Sequence, residues 1–131
     1  MASNVQPIFT KTAIIGAVTI DTANAALDGT GSVPTLVTGG ADGYRVDWIN
    51  IKASVTTTAG MIRIFLHNNV SYFLMDEIDV DAIVPDATTK AFQYTYVPYQ
   101  PIFLPQNYSI RLSTENSETF KVLAFSGNLS Q

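Results

Sequence analysis

The chain of 131 residues contains no cysteine, carries a formal net charge of −4, and has only 14% charged residues. This is the length of one ordinary domain, and the lack of cysteine excludes disulfides, thiolate metal sites and a cysteine nucleophile. Because Lys and Arg are scattered and form no basic stripe, we expect no nucleic-acid partner. The charged fraction is well below the roughly 25% of typical domains, which predicts apolar surface that contacts other copies or a partner.

Residues 1–10 differ in character from the remainder of the chain. They lack a basic region followed by an apolar stretch, so they do not resemble a signal peptide. No apolar run approaches the ~20 residues of a membrane-spanning helix, and we expect no membrane partner. The segment is interpreted either as a frayed terminus or as an arm that orders on a neighbouring subunit. In the second case its partner-binding residues are Val5, Pro7, Ile8 and Phe9.

The segment 44–55 shows a change of phase within a predicted strand. Val46 and Trp48 share one parity, whereas Ile49 and Ile51 share the other. A pattern with a period of two residues does not change phase unless a β-bulge lies near Trp48 and Ile49 or both faces are buried. The strands predicted up to this point are 12–20, 35–38 and 44–55.

The second part of the chain continues as strands separated by turn residues. Phe92, Tyr94 and Tyr96 share one face of a predicted strand. With no helical patterns between them, about eight strands predict an all-β fold, an antiparallel β-sandwich that is jelly-roll-like and forms a single domain over 11–131. Periodicity leaves the connectivity open. The later predicted strands are 61–67, 70–80, 90–97, 108–113 and 120–125, with a short extended piece at 102–105.

Residues suited to catalysis or metal binding are few. His67 is the only histidine, and it ends a predicted strand beside a turn, a position typical of surface residues. No Gly-x-Ser-x-Gly motif accompanies it, so the sequence does not support a serine–histidine relay. The densest acidic stretch is interpreted as a solvated strand face, and a Ca²⁺ site is left open. We expect no enzymatic activity, no metal site and no cofactor. The acidic stretch comprises Asp76, Glu77, Asp79 and Asp81.

Aromatic residues at strand spacing form the second group of candidate contacts. Tyr94, Tyr96 and Tyr99 are assigned to partner binding. Aromatic residues in such positions belong more often to a core or a subunit interface than to a ligand site. Together with Tyr44, Trp48 and Phe103, they also allow a platform on which sugars stack. Without interleaved basic residues, stacking of nucleic-acid bases is disfavoured.

Turn and strand motifs follow one another along most of the chain after Thr12. They are TAN at 22–24, LDGTG at 27–31, LVTGGADG at 36–43, INIKASVTTTAG at 49–60, IRIFL at 62–66, LPQNY at 104–108 and LSTENSETF at 112–120. In these motifs the chain resembles small virion proteins of tailed bacteriophages. The motifs identify no active residue.

This resemblance implies a jelly-roll-like structural protein located on the exterior of the phage capsid and made in the host cytoplasm. We expect a capsid decoration or cement protein that binds the major capsid protein and clamps neighbouring subunits. The resemblance also implies self-association, commonly as a homotrimer. The alternative is a glycan-binding or adhesion module associated with the tail or a fibre.

Overall fold

The computed structural model describes residues 9–130, which form two antiparallel sheets packed face to face. These residues contain no helix, and hence none with the length and apolarity that crossing a bilayer requires. The strands are β1 Phe9–Ile20, β2 Thr35–Thr38, β3 Tyr44–Ala53, β4 Gly60–His67, β5 Tyr72–Val80, β6 Gln93–Tyr96, β7 Ile102–Leu104, β8 Ser109–Thr114 and β9 Phe120–Ser130.

The order of the strands confirms the predicted jelly-roll-like sandwich. The five-stranded sheet has the order β1-β9-β3-β6, with β7 also paired to β3, and the four-stranded sheet has the order β2-β8-β4-β5. The chain crosses from one sheet to the other at every connection except the β4–β5 hairpin and the β6–β7 step. Such repeated crossing between two antiparallel sheets is the jelly-roll arrangement.

The difference between nine observed strands and about eight predicted ones arises at β6 and β7. Both strands pair with β3, through Ile49 opposite Tyr96 and Val46 opposite Ile102. They are two parts of one edge that is interrupted at residues 97–101. Prolines in this interruption have no N–H group to donate to the sheet, so pairing stops there.

A β-bulge in β3 accounts for the change of phase in the sequence pattern. Val46 lies opposite Ser126 and Trp48 lies opposite Phe125, which leaves Asp47 as the additional residue. The bulge allows Val46 and Ile49 both to be fully buried although they differ in parity. It also turns the Trp48 side chain to the outer face. The predicted bulge near Trp48 is therefore confirmed.

The core lies between the two sheets and consists mainly of aliphatic side chains. Close packing between β1 and β2 completes one side of it, where Gly16 is buried against Leu36. A Cβ atom added at Gly16 would lie 2.5 Å from the carbonyl oxygen of Leu36. Since no side-chain rotation relieves a contact with backbone, this position requires glycine. The fully buried large side chains are Phe65, Phe120, Ile20, Ile49, Ile51, Ile62, Ile64, Leu104, Ile110, Leu112, Val46 and Val122.

The N-terminal boundary differs from the predicted one by a few residues. β1 begins at Phe9, whose backbone pairs with Ser130, and Thr10 pairs with Leu129. These two residues therefore belong to the five-stranded sheet, although the prediction placed them in the arm 1–10. The predicted contact residues Val5, Pro7 and Ile8 lie outside the described residues.

Replacing Gly16 by Ala is expected to lower the free energy of unfolding by about 1–3 kcal/mol, because overpacking forces the β1 and β2 backbones apart. Urea denaturation followed by circular dichroism measures the loss. The matched control is Ala17→Val on the exposed side of the same strand, where a change within about 0.5 kcal/mol is expected. Equal losses in the two variants would contradict the close approach at Gly16.

Candidate interaction surface

An apolar row crosses the outer face of the five-stranded sheet. Ile15 on β1 and Trp48 on β3 both lie opposite Phe125 on β9, so the three side chains stand side by side. The Trp48 and Phe125 rings stack with centroids 4.0 Å apart and planes at 15°. Ile15 is 61% exposed and Trp48 is 37% exposed. The row is therefore a solvent-facing apolar surface and not part of the core.

Further side chains extend this row along the sheet. Ala17 lies opposite Leu123 on one side, and Phe103 of β7 lies beyond the row, opposite Arg45, with 61% of its surface exposed. Exposed apolar side chains that are contiguous in this way mark interaction sites on soluble proteins. We call this surface the outer apolar patch; it comprises Ile15, Ala17, Trp48, Phe103, Leu123 and Phe125.

The charges at the Asp47 margin of the outer apolar patch neutralise one another. Nε of Arg45 donates to Oδ1 of Asp47, the bulged residue, at 2.7 Å. Both side chains are substantially exposed, so the pair contributes at most about 1 kcal/mol to stability. Its consequence is electrostatic: a partner approaching the patch meets little net charge at this margin.

The outer face of the four-stranded sheet is partly covered, in contrast, by the segment 21–34. Phe65 points outward from β4, in register with Arg111, yet it is 0% exposed. Gly29, at a φ of 88°, packs directly on the Tyr72 ring, where a Cβ atom would overlap it. Backbone hydrogen bonds of 2.8 and 3.2 Å tie the segment to β8. The chain thus buries Phe65 on this outer face itself, whereas Leu74 opposite it on β5 stays 38% exposed.

His67 belongs to a group of polar side chains at the end of the four-stranded sheet. Its ring lies 4.3 Å from that of Tyr72, whose hydroxyl accepts a hydrogen bond from Nη1 of Arg111 at 3.1 Å. Ser109 lies opposite His67 in register, but its hydroxyl accepts from Nε of Arg111 at 3.0 Å. No described carboxylate forms a hydrogen bond with the imidazole. The geometry therefore does not assemble a nucleophile, base and orienting acid.

The acidic residues of β5 are distributed as the sequence pattern predicts. Glu77 and Asp79 are exposed and alternate with the buried Ile78 and Val80. Glu77 accepts from Nε of Arg63 at 2.9 Å. Within residues 9–130, no group of three or more acidic or histidine side chains is placed to hold a metal ion.

The predicted contact tyrosines occupy the edge of the sandwich between β5 and β6. Tyr94 and Tyr96 lie opposite Ile51 and Ile49, so both face the space between the sheets. Tyr94 is partly exposed and Tyr96 packs against the core. Burial, and after it the Asp76 carboxylate on β5, raises the pKa of Tyr96 above its ordinary value. Tyr99 is fully exposed and lies in the connection between β6 and β7.

The outer apolar patch was found from register and not from the sequence pattern. Trp48 and Phe103 belong to the aromatic platform that the sequence predicts, whereas Ile15 and Phe125 are not among the predicted contact residues. The sequence of β1 does indicate that Ile15 faces outward, because Ile15 has the opposite parity to the buried Gly16 and Ile20. Which strands lie beside β1 is decided only by the tertiary structure.

Comparison with known proteins adds no assignment for this surface. No protein-family model matches the chain, and a search of curated proteins finds no match. The likeness to phage virion proteins therefore stays a prediction from the motifs. A fold as widely used as this one does not by itself indicate a function, so function has to be inferred from the surface.

The imidazole of His67 is expected to titrate below its ordinary pKa of 6.5, because burial and then the Arg111 charge oppose its protonation. The unfolded chain takes up the proton first, so the free energy of unfolding should fall as the pH drops below about 6.5. NMR titration of the only histidine in the chain measures the pKa directly.

The control for this effect is His67→Gln, which should lose the pH dependence of stability between pH 7 and the folded-state pKa. An imidazole that titrates at or above its ordinary value would contradict the burial of Nδ1, which has no hydrogen-bond partner within residues 9–130.

Proposed function

We propose that the protein is a capsid decoration or cement protein of a tailed bacteriophage. In this role it binds the outer surface of the head through the outer apolar patch and stabilises contacts between neighbouring major capsid subunits. The resemblance of its motifs to small phage virion proteins suggests the class of protein, together with a homotrimeric state and a location on the capsid exterior.

The observation that carries the proposal is the difference between the two outer faces. On one face Phe65 is buried against the Tyr72 ring and its neighbour Leu74 is 38% exposed, whereas on the other Ile15 and Phe103 are each 61% exposed beside Trp48. Each Å² of apolar surface left in water is unfavourable by roughly 25 cal/mol, and a partner surface that covers it would remove this cost. A cement protein acts by burying such a surface, and it needs no catalytic residue.

The low charge of the chain supports the same role. Only 14% of the residues are charged, and the ion pair described beside the patch, Arg45 with Asp47, has no net charge. Interface cores are depleted of charge and enriched in aromatic residues, as in the outer apolar patch. The stacked Trp48 and Phe125 rings provide a rigid contact of this kind.

Phe103→Lys is expected to weaken binding to phage heads at least about tenfold, since it places a second positive charge beside Arg45 within a contact that excludes water. The assay uses heads purified from a phage that carries this gene, after the gene has been deleted. Co-sedimentation gives the affinity, and a blue shift in the emission of Trp48, the only tryptophan in the chain, reports burial of the patch.

The matched control is Val70→Lys in the β4–β5 turn, a side chain that is 84% exposed and lies outside the patch. This variant should bind heads as the unmodified protein does. Heads that fail to bind the unmodified protein, or bind both lysine variants equally well, would contradict the proposal.

A glycan-binding module of the tail or a fibre is the second candidate function. The observation in its favour is the position of Tyr94, partly exposed beside Tyr96 and close to the Asp76 carboxylate. An exposed aromatic face stacks on a sugar ring, and a carboxylate accepts hydrogen bonds from sugar hydroxyls. Both types of group are present at this edge of the sandwich.

Tyr94→Ala should abolish any signal on a glycan array while leaving the fold intact, because the side chain is partly exposed. Tyr99→Ala is the matched control, since this tyrosine is fully exposed in a different segment. An array without hits for the unmodified protein would remove this candidate.

A further inference from the structure

The four edges of the two sheets are protected to very different extents. An edge strand presents unpaired N–H and C=O groups, and proteins usually prevent pairing there with charges, prolines, bulges or short strands. In the described residues the edges are formed by β1 and by β6 with β7 in one sheet, and by β2 and β5 in the other.

Three of these edges carry recognisable protection. β5 carries exposed acidic side chains, among them Glu77 and Asp79, and its register with β4 is interrupted by a bulge. β2 has only four residues, and its register with β8 is also irregular. β6 and β7 have four and three residues, and Pro98 and Pro101 lie between them.

The edge formed by β1 carries none of these features over most of its length. The strand has 12 residues, and its sequence from Thr12 to Ile20 has neither a charge nor a proline. Its register with β9 is continuous over this stretch, since the only shift lies at Lys11. Within residues 9–130 the strand pairs with β9 alone, which leaves its other side open.

We propose that β1 pairs antiparallel with β1 of a second copy of this chain, in a register centred on Gly16. Gly16 is the midpoint of the uninterrupted stretch Thr12–Ile20, so this register overlaps the whole stretch in both copies. The two five-stranded sheets then form one continuous sheet. The partner is a second copy because the stretch is uncharged and complements itself about its midpoint.

Side chains match across this pairing on both faces of the sheet. Ile15 on the outer face lies opposite Ala17 of the second copy, which sets a large side chain against a small one. Ile14 lies opposite Val18 of the second copy, and both are partly buried. No like charges meet, so the backbone hydrogen bonds form without an opposing electrostatic term.

The symmetry of this contact limits what it builds. A two-fold contact uses the same strand from each copy and closes after two copies. It is therefore separate from any three-fold contact implied by the phage resemblance, and in a trimer it would link one trimer to another. It also does not depend on the proposed function, since it is tested on the purified protein without heads.

Single cysteines introduced into this cysteine-free chain test the register. Ile15→Cys and Ala17→Cys are mixed and oxidised, and the rate of disulfide-linked dimer formation is followed on non-reducing gels. Opposed residues have Cβ atoms about 4.5–5.5 Å apart, near the separation that a disulfide spans, whereas diagonal neighbours are about 7–8 Å apart. Both side chains are exposed, so the variants should keep the fold.

The mixture should cross-link at least about tenfold faster than Val70→Cys, which reports random collision, because pairing raises the effective concentration of the two thiols. It should also cross-link faster than either β1 variant alone. A mixture that reacts no faster than Val70→Cys, or more slowly than one β1 variant alone, would overturn the proposal.

Discussion

The bulge at Asp47 determines which side chains of the five-stranded sheet are buried. β3 pairs directly with β9, β6 and β7, so the alternation of its side chains between inner and outer face sets the alternation in those strands. β1 follows indirectly, through its pairing with β9. Without the additional residue, Val46 and Ile49 would point in opposite directions, and one of them would leave the core. The same shift turns Trp48 outward, onto Phe125. A single extra residue therefore fixes both the core of this sheet and its outer apolar surface.

The outer faces of the two sheets differ in how far their apolar side chains are covered. The four-stranded sheet is partly covered by the segment 21–34, although Leu74 of β5 stays exposed, and its edge strands are acidic, short or irregular. The five-stranded sheet keeps apolar side chains in solvent and has one long edge without protection. Exposed apolar surface and open edges both favour association, and the five-stranded sheet combines the two.

Much of the fold can be predicted from the sequence, but less of the interaction surface can. Strict alternation around residues such as Ile62, Ile64 and Ile110 predicts the strands, and the change of phase at Trp48 predicts the bulge. The pairing of β1 with β9 is not encoded locally, so the row formed by Ile15 and Phe125 requires the structure. The burial of the outward-facing Phe65 cannot be predicted from the sequence either, because it depends on packing against Tyr72, on which Gly29 of a distant segment lies in turn.

The position of β9 between β1 and β3 has a consequence for how the chain folds. Ser126 donates to the carbonyl of Ile14, a contact between residues 112 positions apart. During synthesis β1 emerges before β9 and has no strand to pair with until β9 follows it. Long-range pairing of this kind makes folding slow and leaves the nascent strand able to pair with other chains. We therefore expect the yield of folded protein to depend on translation speed and on chaperones that shield β1.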